Sequence, residues 1–176
     1  LYYFYIKIFK MTIPQDIHNI RYTLCLTAIL IIFFNRCSKD DDVPNDTTSS
    51  IIWSGATKSF VKQDGASPED QINQDRLTPK VWITRGNNGG QIYNKAIESS
   101  SDKAESPSGT EWSIGKIGEI ESLIFTNFRI AVGKPQTVVG KDLVLHLIEE
   151  DIYLSVKFTS WSGGKKGGFA YDRSTP

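Results

Sequence analysis

The sequence is poor in the residues from which reactive sites and staples are most often built. It holds two cysteines, two histidines and one methionine among 176 residues. Cys25 lies inside an apolar run and Cys37 at its end, so no cysteine pair remains beyond that point, and the fold must stand without a disulfide. His18 sits ahead of the run, leaving His146 as the single imidazole downstream. One imidazole cannot assemble a zinc centre, which takes three or four His, Cys or carboxylate ligands. An excess of charge of one sign is missing too: 20 Lys and Arg balance 20 Asp and Glu. Lys7, Lys10, Arg21 and Arg36 precede Cys37, opposed there by Asp16, so the remainder is mildly acidic. A nucleic-acid partner is thereby excluded, because that affinity rests on clustered basic residues facing phosphates. The longest apolar run, residues 22–34, falls short of the roughly 20 residues that span a bilayer.

That run has the length of a secretory h-region, about 7 to 15 residues, with Arg21 before it and Met11 as a start codon upstream. Residues 1–10 then lie ahead of the translated chain. A cysteine directly after the apolar run resembles the signal of bacterial lipoproteins, in which it becomes the lipid-modified N-terminus. Cys37 is that residue here, although Asn35 and Arg36 stand where the signal normally has small side chains. The following "SKDDD", residues 38–42, resembles the acidic tract that sends some lipoproteins of Gram-negative bacteria to the outer surface. Acyl chains contribute about 0.8 kcal/mol per buried methylene, enough for several chains to hold a protein on a membrane. Three segments follow: 1–37 as signal and anchor, 38–50 as a flexible acidic tether, and 51–176 as one domain, at the outer membrane or cell surface.

Within the domain, short β-branched and aromatic runs alternate with Gly, Pro, Asn, Asp and Ser clusters, which predicts an all-β fold. In residues 152–161, Ile152, Leu154, Val156 and Phe158 alternate with Tyr153, Ser155, Lys157 and Thr159. Residues 142–148 alternate likewise, and Glu149, Glu150 and Asp151 make the turn of a hairpin. A glycine loop around Lys165 and Lys166 leads to a last strand at 169–173, completing a meander. Further strands are predicted at 51–53, 58–62, 81–84, 91–97, 111–114 and 123–128, with a short helical turn at 67–74. So many strands are best buried as a two-sheet sandwich, with a jelly roll preferred over a Greek key.

The blocks "QDRLT" (74–78), "VWITRGN" (81–87), "SPSGTEW" (106–112), "LVLHLIEEDIYLSVKFTSW" (143–161) and "GGFAYDRSTP" (167–176) resemble an uncharacterised family of secreted and surface bacterial proteins. The resemblance implies export and a single domain. It brings no catalytic residue, substrate or cofactor with it.

The residues themselves nominate several sites. Glu119 and Glu121 would share one face of a strand, as the paired carboxylates of a polysaccharide hydrolase do. Asp64, Glu69, Asp70 and Asp75 are oxygen donors in a loop-rich stretch, which leaves calcium open as a cofactor. His146, between Leu145 and Leu147, reads as a half-buried hydrogen-bonding residue. "GGKKGG" lacks the GK[ST] and the following helix of a phosphate loop and reads as a hairpin loop. Four tryptophans remain: Trp53, Trp82, Trp112 and Trp161. At least two of them should be core, while Trp82, Trp112 and Trp161 with Arg85 and Asn87 are the candidates for stacking on and bonding a sugar. The leading expectation is a non-catalytic surface domain that binds an extracellular glycan or protein. The alternatives are a hydrolase using Glu119 and Glu121, and a structural or adhesive envelope protein.

Overall fold

The structure is a computed structural model and describes residues 49–176. Cys37, the signal segment and the tether up to residue 48 lie outside the described residues. No helix among the described residues is long and apolar enough to cross a membrane.

Among the described residues, nine strands form two sheets, antiparallel except for β1, in an all-β sandwich. They are β1 (Ile51–Trp53), β2 (Lys58–Lys62), β3 (Asp75–Arg76), β4 (Trp82–Arg85), β5 (Ile92–Asn94), β6 (Thr110–Ile114), β7 (Asp142–Leu147), β8 (Ile152–Trp161) and β9 (Phe169–Arg173). The larger sheet has the order β2-β9-β8-β7-β6, and β1 adds to β8 in parallel; the smaller is β3-β4-β5. These pairings establish the sandwich and do not single out a jelly roll from a Greek key.

The meander β7-β8-β9 follows from the alternation. Ile152, Leu154, Val156 and Phe158 are buried on one side of β8, while Tyr153, Ser155 and Lys157 face outward. Leu145 pairs with Leu154 and Phe158 with Tyr171, so each register step stacks core residue on core residue. Asp151 closes the β7–β8 turn at φ 50, a conformation that Asp tolerates better than most side chains. Aromatic rings fill the interior: Trp112 meets Phe128 edge-on at 5.1 Å, and Phe158 meets Tyr171 at 5.2 Å.

A buried polar device helps to join the sheets. Asp75 of β3 is buried and takes both arms of Arg173 from β9, Nε at 2.6 Å and Nη2 at 3.0 Å, while the Tyr171 hydroxyl donates to it at 2.8 Å. A bidentate, charge-assisted contact of this kind satisfies both carboxylate oxygens, the condition under which a buried charge is tolerated.

Three predicted strands are corrected. Residues 123–128 form no strand; Thr126 makes one antiparallel bridge with Trp112, and Phe128 opens a short helix, α1 (Phe128–Val132). Phe128 and Val132, four apart, are its buried face. The stretch holding Glu119 and Glu121 is a 3-10 helix over Ile117–Ser122. Glu119 accepts the Lys116 backbone N–H at 3.2 Å and Ser122 Oγ donates to the Glu119 carbonyl at 2.8 Å, local bonds that outcompete a ladder. The strand at 91–97 stops at Asn94, because its side chain and the Glu98 carboxylate take the backbone N–H groups that would have continued it.

Candidate functional site

Strand β4 places Trp82 between buried Val81 and Ile83, so alternation turns its indole outward, where it is half-buried. The indole N–H donates to the Thr78 carbonyl at 3.1 Å, and the Arg76 guanidinium lies over the ring at 4.0 Å. Trp82 lines a groove of about 390 Å³ together with Pro79, Val81, Ala96 and Ile97, the last 71% exposed. Lys80 and Glu149 pair at its rim, beside Glu150.

The floor of this groove is built by one side chain. Asn94 is fully buried, and its amide oxygen accepts the N–H of Trp82 at 2.8 Å and of Ala96 at 3.1 Å. Its Nδ2 donates to the carbonyls of Lys80 at 2.7 Å and Ser108 at 2.9 Å. The Glu98 carboxylate then accepts the N–H of Asn94 at 2.6 Å and of Ser108 at 3.0 Å. Three separate segments are thus held in register by two side chains, the kind of pre-ordering that lowers the cost of binding where a ligand is taken up. Neither Asn94 nor Glu98 was singled out from the sequence; an Asn ending a strand four residues before a Glu is the signal that was there.

The structure separates the predicted sugar-contacting residues. Trp112 is a correction: it is fully buried, its indole N–H donates to Thr110 Oγ1 at 3.0 Å, and it does not reach the surface. Trp53 is core as well. Trp161 is half-buried, stacked on Phe128 at 6.1 Å and covered by the Arg85 guanidinium at 4.1 Å. Arg85 is itself buried and donates to the carbonyls of Ser162, Gly168 and Gly90. Asn87 spends its amide on Lys62 and on the Ala66 carbonyl. Arg85, Asn87 and Trp161 therefore gather beneath the glycine loop, apart from Trp82. Gly167 in that loop sits at φ 78, and a Cβ there would fall 2.1 Å from Asn87 Oδ1, so no other residue fits.

The four carboxylates proposed for calcium do not converge. Asp75 is held by Arg173, Glu69 by Lys95 at 3.0 Å and Asp64 by Lys166 at 3.8 Å, while Asp70 begins the 3-10 helix at Gln71–Asn73. Among the described residues no three His, Cys, Asp or Glu side chains gather as a metal site. Glu119 and Glu121 are exposed on their helical turn and share no strand face.

His146 is buried and joins elements. Nδ1 lies 2.8 Å from Glu111 of β6 and Nε2 lies 3.0 Å from Asp151 of the turn, with Tyr153 stacked on the ring at 4.1 Å. A hydrogen bond from Ser50, with a smaller contribution from His146, holds the Asp151 carboxyl below its ordinary pKa. Burial, then the Asp151 charge, pushes the Tyr153 phenol up. Both imidazole nitrogens are engaged.

No family model, curated protein or solved structure matches the chain.

Proposed function

We propose that the chain is a surface lipoprotein, anchored through Cys37, whose β-domain binds an extracellular glycan in the Trp82 groove without transforming it. The observation that carries the reading is the groove itself: a half-buried tryptophan on a rigid floor, between apolar walls and under a charged rim. Sugar rings present apolar C–H faces for an aromatic and hydroxyls for polar rims, and sites of this kind are concave and largely pre-formed. The rim charges Lys80 and Glu149 are paired with each other, as suits a contact surface. Anchoring rests on the Cys37 junction and the acidic residues after it.

A glycan array probed with the full chain, followed by tryptophan fluorescence titration of the hits, tests this. Binding that quenches fluorescence and weakens at least tenfold in Trp82→Ala is the expected result. An absence of hits across neutral, acidic and amino sugars, or affinity unchanged in Trp82→Ala, overturns it. Mass spectrometry of the N-terminus from the native envelope should show acylated Cys37; an intact Arg36–Cys37 bond refutes the anchor alone.

A further inference from the structure

Lys62 ends β2 with its side chain turned inward and 1% exposed. Its Nζ contacts Asn87 Oδ1 at 3.0 Å and the Gly167 carbonyl at 3.3 Å. No carboxylate among the described residues is within ion-pair distance of it. Burial pulls the Lys62 ammonium below its ordinary pKa, Arg85 adds to the fall, and Asp64 opposes it. Desolvation of this kind is what turns lysines into nucleophiles at catalytic sites.

What it faces is an acyl group. The Asn87 amide is held in place through Nδ2, which donates to the Ala66 carbonyl at 2.9 Å, and through Gly167 packed against its oxygen. Nζ lies 3.0 Å from Oδ1, so the amide carbon is one bond beyond the atom the amine already touches, and a small rotation of the lysine brings it to the separation at which intramolecular reactions proceed, about 3 to 3.5 Å. The geometry points to an amide cross-link between Lys62 Nζ and Asn87 Cγ. This inference is independent of the Trp82 groove.

The step balances without oxidant or co-reactant. Lys62 first releases a proton to solvent, a loss that burial and Arg85 favour and the Asp64 charge opposes. The Nζ lone pair bonds to Asn87 Cγ, and the carbonyl electron pair moves onto Oδ1. When the carbonyl re-forms, the Cγ–Nδ2 bond breaks; Nδ2 gains the proton that Nζ loses and leaves as ammonia. A reaction required once per molecule tolerates a rate no turnover enzyme could use. The bond would tie the end of β2 in the large sheet to the loop after β4 in the small one, a covalent link in a domain that has no cysteine.

Trypsin digestion of the purified full chain, read by tandem mass spectrometry, decides the matter. The expected product is a branched peptide in which residues 59–76, uncleaved at Lys62, are joined to residues 86–95 and lighter by one ammonia. Ammonia loss alone is insufficient, because Asn88–Gly89 can lose it by cyclising on its own backbone. Lys62→Arg, which keeps the positive charge, should abolish the branched peptide. Linear peptides 59–62 and 86–95 recovered in full from folded wild-type protein, with or without ammonia loss at Asn88, overturn the cross-link whether or not Lys62→Arg folds.

Discussion

The two sheets of this domain are made by different means. In the large sheet, β7, β8 and β9 run five to ten residues, with one register shift between Phe158 and Ser160, and are written in the sequence largely as apolar residues at every second position. In the small sheet, no strand exceeds four residues, and the turns are shaped by polar side chains bonding to backbone. Asn94, Glu98, Gln74 and Asn73 all act in this way. The difference teaches where a groove can form. Apolar alternation gives a flat, paired surface, whereas side chains that arrest a strand leave recesses, and the Trp82 groove lies where Asn94 stops β5.

Breaking the joint between the sheets should have the largest effect. Asp75→Ala leaves Arg173 as a buried charge without its partner, and the expected loss is about 3–5 kcal/mol in urea unfolding. A loss below about 1 kcal/mol would mean that the two sheets do not depend on this contact. Next comes Asn94→Ala, expected to cost about 1–3 kcal/mol because water replaces part of what the amide supplied. Hydrogen exchange should accelerate at Trp82 and Ala96 and stay slow in β8; equal acceleration in both sheets would erase the distinction drawn between them.

The smallest effect concerns pH. Burial, and then the Asp75 charge, hold the Tyr171 phenol well above its ordinary pKa. A phenol raised in the folded state contributes stability that is complete below its unfolded pKa, about 10, and is lost as pH rises toward the folded value. Thermal unfolding followed from pH 8 to 11 should therefore show a decline above about pH 10 that Tyr171→Phe makes shallower. An unchanged slope in that variant would assign the alkaline decline to other groups.

How legible each region was follows the same division. The spans of β8 and β9 and the outward turn of Trp82 could be read from alternation alone, as could the polar turn at 149–151. Residues 123–128 could not, because Phe128 and Val132 show one helical repeat, too short to stand out from a strand. Glu119 and Glu121 misled because period two was assumed where Gly115, at φ 151, and the Lys116–Glu119 contact bend the chain. Trp112 looked like Trp82 in sequence, and only pairing with Leu145 in a doubly covered strand buries it. The roles of Asp75 and Asn87 depend on partners 98 and 25 residues away, beyond the reach of any local pattern.

The lysines of β2 carry a further consequence for the edge of the large sheet. β2 is the outermost strand on its side of the large sheet, and an open edge invites a neighbouring copy to add its own strand. A second chain pairing there would have to lie against Lys58, an exposed charge of the kind that blunts open edges. On the opposite side, Thr126 already occupies both backbone groups of Trp112 in β6. Each flank of the sheet thus carries an obstacle to edgewise pairing, charge on β2 and an occupied position on β6.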